Sequence, residues 1–239
     1  MGASATARAA GLAAMIGGVL GLLLAPAMVI VKYQTGWSVI PKPAWIGVVE
    51  PALESVFTFA TPVRLWVIYG SICSVALVLM FAGLIAFVSR LGRERPGARP
   101  WGWWIMIVGL ALVIPGDLVH TLTWHQDGLT VPTPGTNPLA NTAYAVHMMG
   151  MNFVLIGSLW AGISALRRGD RPRWLGIALL LIAPGAVLLS LTLLPTSPSG
   201  GLWMFSVMIV LIGCRLILDP RFASATPSSI SSASSAPPR

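Results

Sequence analysis

The sequence predicts an all-α polytopic membrane protein, a bundle of six transmembrane helices, and three observations predict it. Hydrophobic residues make up 56% of the 239 and charged residues 9%, with a mean hydropathy of +0.82, a composition that water does not solvate. The apolar residues gather into six runs, 9–31, 65–89, 101–124, 142–166, 174–194 and 202–218, each near the length that crosses about 30 Å of hydrocarbon. The basic residues lie between those runs, so the net charge of +8 reports topology and not nucleic-acid binding.

The first run, between Arg8 and Lys32, is rich in Gly, Ala, Leu and Val; Gly17 and Gly21 form a small-xxx-small pair and Pro26 bends its far half. Residues 44–60 then place Glu50 and Glu54 on one face of an amphipathic segment, read as lying on the outer interface with Trp37, Trp45 and Trp66 in the aromatic belt. The second run ends at RLGRERPGARP. Trp101, Trp103 and Trp104 open the third, which leads to a link, 126–140, holding Pro132, Pro134 and Pro138. The fourth ends at RRGDRPR, the fifth carries Pro184-Gly185, and the sixth holds Arg215 near its end, where it snorkels. The tail, 219–239, is Ser/Ala/Pro-rich and reads as disordered.

Of the fifteen basic residues, only Lys32, Lys42 and Arg64 fall on one side of the membrane under this threading. The positive-inside rule therefore puts both termini in the cytoplasm and the link 126–140 outside. The preference for Arg over Lys, with abundant Ala, Gly and Pro, points to a GC-rich bacterium and hence to its cytoplasmic membrane.

Several classes are excluded. Cys73 and Cys214 lie in separate apolar runs with no CxxC spacing, so they read as buried thiols rather than a redox pair. No nucleotide-binding loop, nucleophile elbow or zinc-protease helix occurs. The start, MGASAT, matches a myristoylation pattern that is chance in a bacterium, and the first apolar run has the length of a span rather than a signal peptide. FAGLIAFVSR at 81–90 echoes WAGISALRR at 160–168 and the odd-numbered spans each carry a proline, a pattern that three parallel hairpin repeats would produce.

Whatever chemistry the chain performs is concentrated between Pro115 and Asn152, which holds all three histidines and Asp117, the one carboxylate well inside an apolar run. Asp117, His120 and Trp124 share a helical face, with Thr121 beside them. Pro115 frees the carbonyl of Ala111. Tyr144, His147, Met148 and Met151 form a stripe on the next span. Counting inward from Gln126 and Asn141 puts His120 and His147 at equal depth, with Asp117 a turn deeper and one of the imidazoles as its partner. His125 sits at the outer boundary, an interfacial histidine rather than a ligand.

Three functions are open for this cluster. The first, and the one the residue types favour, is a transition-metal site in a redox or metal-handling role: His120, His147 and Asp117 are candidate ligands for copper or zinc, with Met148 or Met151 as soft donors and Thr121, Tyr144 and Trp124 around them. The Asp/His/His set resembles the copper-binding set of the membrane monooxygenase C subunit, whose first spacing is longer and second shorter, so no activity comes with the resemblance. Bis-histidine haem fits less well, because short-linked helices pack about 8 to 10 Å apart. The second function is a packing network in an accessory subunit, with a membrane-protein partner or a second copy. The third is proton-coupled transport of a small solute, with Asp117 titrating and His120 as relay. The bilayer is the partner common to all three.

Overall fold

The structure, a computed structural model, describes residues 3–34, 44–48, 51, 62–94, 101–126, 138–167, 173–192 and 199–218. Six long helices carry all of these residues but 44–48, 51 and 192: α1 (Ala3–Gln34), α2 (Pro62–Glu94), α3 (Trp101–Gln126), α4 (Pro138–Arg167), α5 (Arg173–Leu191) and α6 (Ser199–Leu218). All six are long and apolar enough to cross a membrane, and the described residues contain no strand. The chain is therefore a multi-pass membrane protein in contact with the lipid bilayer. Residues 44–48 form a short helical turn whose Ile46 is buried in the core with Trp45 packed against it. Glu50, Glu54, Trp37, the arginine-rich loops, most of the link after α3 and the tail from 219 lie outside the described residues.

Each helix packs antiparallel on the next, and α6 closes the ring onto α1. Lipid-facing stripes of large apolar residues cover the outside, as with Leu12, Ile16, Val19 and Leu23 on α1. In hydrocarbon there is no hydrophobic drive between such helices, so close backbone approach and dispersion hold them. The tightest pair shows how. Gly102, Gly109 and Gly116 recur every seven residues along α3 and face Gly157 and Ala161, Gly150 and Val154, then Ala143 and His147 of α4. A Cβ on Gly109 would stand 2.6 Å from the Gly150 carbonyl oxygen and 2.8 Å from the Val154 nitrogen, a space that only hydrogen fits. A seven-residue repeat keeps one stripe on its partner through a left-handed wind. Gly11 and Gly18 of α1 repeat the device against Gly213 and Ser206 of α6.

The packing divides the ring. The α3–α4 pair is one tightly joined unit and α1 with its neighbours α2 and α6 another; α2–α3 is a thinner seam between them, and α5 bridges them on the other side through thinner seams with α4 and α6. At one end the helices are level: Gly11 meets Gly213 and Leu216, Gly102 meets Ala161, and Gly162 meets Gly176. There Arg215 of α6 lies over the Phe87 ring at 5.6 Å, and Phe87 packs tilted against Trp103 at 5.1 Å. The other end is uneven. Helices α5 and α6, of 19 and 20 residues, span about 30 Å, whereas α1 and α2, of 32 and 33, reach nearly 50 Å. The first four helices thus overhang the last two.

Candidate functional site

The polar cluster sits where the overhang begins, and three helices build it. Asp117, in the turn after Pro115 and Gly116, turns toward α2, where the Ser74 hydroxyl donates to Oδ2 at 3.2 Å. The Cys73 thiol is also within hydrogen-bonding reach of the carboxylate, and the Tyr69 hydroxyl lies beside Cys73. From α4, Nδ1 of His147 stands 4.0 Å from Asp117 Oδ1, with the two side chains 12% and 14% exposed. That separation suits an ion pair or a bridging water rather than a direct hydrogen bond.

His120 occupies a different niche. Its ring lies edge-on to Trp66 of α2 at 6.0 Å and tilted against Tyr144 of α4 at 5.7 Å. Thr121 is buried where α3 crosses Gly70, whose missing side chain makes room for the threonine. The side chains of Trp124 and His125 lie outside the described residues.

Two features bear on the sequence expectation. His147 is level with Gly116, and the His120 ring lies against Tyr144, one turn before His147 on α4. The cause is where α4 begins. Pro138 is its first residue, with the Thr142 hydroxyl donating to the Pro138 carbonyl at 2.8 Å, and proline suits the first helical turn, where its missing N–H costs nothing. Starting the helix three residues before Asn141 shifts His147 almost one turn deeper. The glycine stripe then locks that register. Second, Met148 and Met151 turn away from Asp117 to line a cavity of about 240 Å³ between α4, α5 and α6, with Asn152, Leu155, Ala186, Val187, Ser190, Leu191 and Gly201.

Among the described residues no three His, Cys, Asp or Glu side chains come together as a group that could hold a metal ion. Asp117 keeps His147, His120 keeps its aromatic neighbours, and the thioethers belong to the cavity. The contribution of α2 is not among the sequence expectations, because Tyr69 and Ser74 lie in an apolar run and Cys73 reads there as a buried thiol; the signal is YGSICS, a polar patch within that run. Asn152 was also missed.

Comparison with known protein families, curated proteins and solved structures finds no match for this chain.

Proposed function

We propose that the protein is a proton-coupled transporter of a small solute in a bacterial cytoplasmic membrane, with both termini in the cytoplasm and the overhanging end outside. The excess of arginine on the level-end loops supports this orientation. One observation carries the functional reading: the α3–α4 unit bears the Asp117–His147 pair on its seam with α2 and the cavity on its seam with α5 and α6. An ionisable group within a span is costly and usually serves a pathway. Here it lies across a thin seam, where its charge bears on how the unit docks.

In this reading Asp117 is the titrating group and His147, rather than His120, is its partner. With Asp117 ionised, Ser74 and Cys73 donate to the carboxylate and hold α3 on α2. A proton from the outer aqueous phase adds to the carboxylate, turning an acceptor into a donor and weakening the Ser74 bond. The tightly packed α3–α4 unit then rocks as a body and changes the cavity on its other side. Met80, Leu84, Met106, Leu110 and Phe205, apolar and buried toward the level end, support a path for the proton from the other end.

The test is proteoliposomes carrying a pH-sensitive dye, loaded in turn with small neutral and weakly polar solutes and then acidified outside. Solute-dependent proton entry that Asp117→Asn abolishes is expected. Proton entry that no solute alters, with folded protein, overturns the reading and leaves the cluster as a packing network.

A further inference from the structure

The cavity between α4, α5 and α6 has a chemistry of its own. Its walls are Met148, Met151, Leu155, Ala186, Val187, Leu191 and Gly201, without a charged group, and its polar members are Asn152 and Ser190. Asn152 is exposed, although it lies fifteen residues from Arg167 at the level end of α4, roughly 22 Å along the axis and so within the hydrocarbon. Neither polar side chain finds a hydrogen-bond partner among the described residues. An amide facing lipid without a partner is costly. Something polar must meet it there.

We infer that this cavity is a binding site for a small, uncharged, amphiphilic aromatic, on the scale of an alkyl-substituted phenol, which enters from the bilayer. The ring packs on the Met148 and Met151 thioethers, which favour aromatic contact. The hydroxyl exchanges hydrogen bonds with the Asn152 amide and the Ser190 hydroxyl. The absence of charge from the lining disfavours an ionised ligand. The volume of about 240 Å³ is below the roughly 300 to 1,000 Å³ of pockets for larger ligands, which suits one ring rather than a folded acyl chain, and the mostly apolar walls leave the hydroxyls of a sugar without partners. The inference names the solute of the transport reading and rests on that reading for its role, while the site itself stands on the cavity.

The experiment uses the full chain in lipid nanodiscs with a diazirine-bearing alkylphenol, photolysed and mapped by peptide mass spectrometry, with 4-propylphenol as competitor. Saturable labelling confined to 148–155 and 186–191, removed by the competitor, is expected. Asn152→Leu weakens the competition about tenfold and Ser190→Ala less; both replace polar atoms at partly exposed positions and leave the bundle intact by size exclusion. Labelling that does not saturate, that Asn152→Leu leaves unchanged, or that a monoacylglycerol removes better than the phenol overturns the site. Asp117→Asn still labels the same segments, with an affinity that differs from the wild type as protonation of Asp117 would make it. Binding without proton-coupled flux sinks the transport reading alone, and flux of another solute without this labelling sinks the site alone.

Discussion

Replacing Gly109 with alanine tests the packing that positions the site. The new methyl would stand 2.6 Å from the Gly150 carbonyl oxygen, 2.8 Å from the Val154 nitrogen and 2.9 Å from the Phe153 Cβ. Two of these atoms are backbone, so no side-chain rotation relieves the contact and α3 must move off α4 by more than half an ångström. Overpacking of this kind costs about 1 to 3 kcal/mol. Alanine also restores about 1 kcal/mol through helix propensity, which masks part of the cost. Gly92 supplies the reference: it is also helical, on α2, and a Cβ there meets nothing within 4 Å. The difference between Gly109→Ala and Gly92→Ala therefore isolates the steric cost.

The assay is reversible unfolding in mixed micelles, read as the free energy of each variant. Gly109→Ala should be about 1 to 3 kcal/mol less stable than Gly92→Ala. Gly150→Ala, whose Cβ would stand 2.6 Å from the Gly109 carbonyl oxygen, should behave alike. The double variant should cost clearly less than both together, because one separation of the helices accommodates both methyls. Equal stability of Gly109→Ala and Gly92→Ala, or strict additivity, would refute the close approach.

Three further outcomes follow from the same contacts. Gly116→Ala pushes on the His147 backbone at 2.8 Å, so it should impair proton-coupled flux more than Gly109→Ala at similar loss of stability, measured in the same proteoliposomes. Ser74→Ala removes the donor to Asp117 and should cost about 1 to 3 kcal/mol; in Asp117→Leu the same change should cost almost nothing, a coupling that mixed-micelle unfolding resolves. Arg215→Gln loses the cation over Phe87 and should cost about 0.5 to 2 kcal/mol, with Arg215→Lys between it and the wild type.

The six spans were legible because the solvent imposes their length and composition, and each predicted run lies within or nearly within its helix. The fifth is the exception: it stops at Leu191, where the Thr192 hydroxyl donates to the Leu188 carbonyl at 2.8 Å, three residues short of the apolar run. Asp117 and His147 were found because a carboxylate and an imidazole inside apolar runs stand out by cost alone. Their relative placement was not, since register depends on the first residue of α4 and on which small residues face each other. Tyr69 and Ser74 carry no signal for a related reason: they pass as apolar-run residues until a partner on another helix gives them a role, as Asp117 does for Ser74.

That distinction bears on how the parts of the site act together. His147 and Met148 are adjacent in sequence, yet α4 directs one to Asp117 and the other into the cavity. Helical geometry forces this, because successive residues point about a hundred degrees apart. A packed helix joined to α3 along a glycine stripe does not bend locally at two neighbouring residues. A displacement that follows a change at the Asp117 seam is therefore passed to the cavity wall by the whole unit, without a chain of intervening side chains. The pairing of seams predicts that substitutions loosening the glycine stripe will uncouple proton movement from ligand binding before they abolish either, whereas Asp117→Asn will remove the pH dependence of binding and hold the cavity at the affinity of the protonated state. Both arms can be read on one reconstituted sample by following the internal dye and the photolabel together.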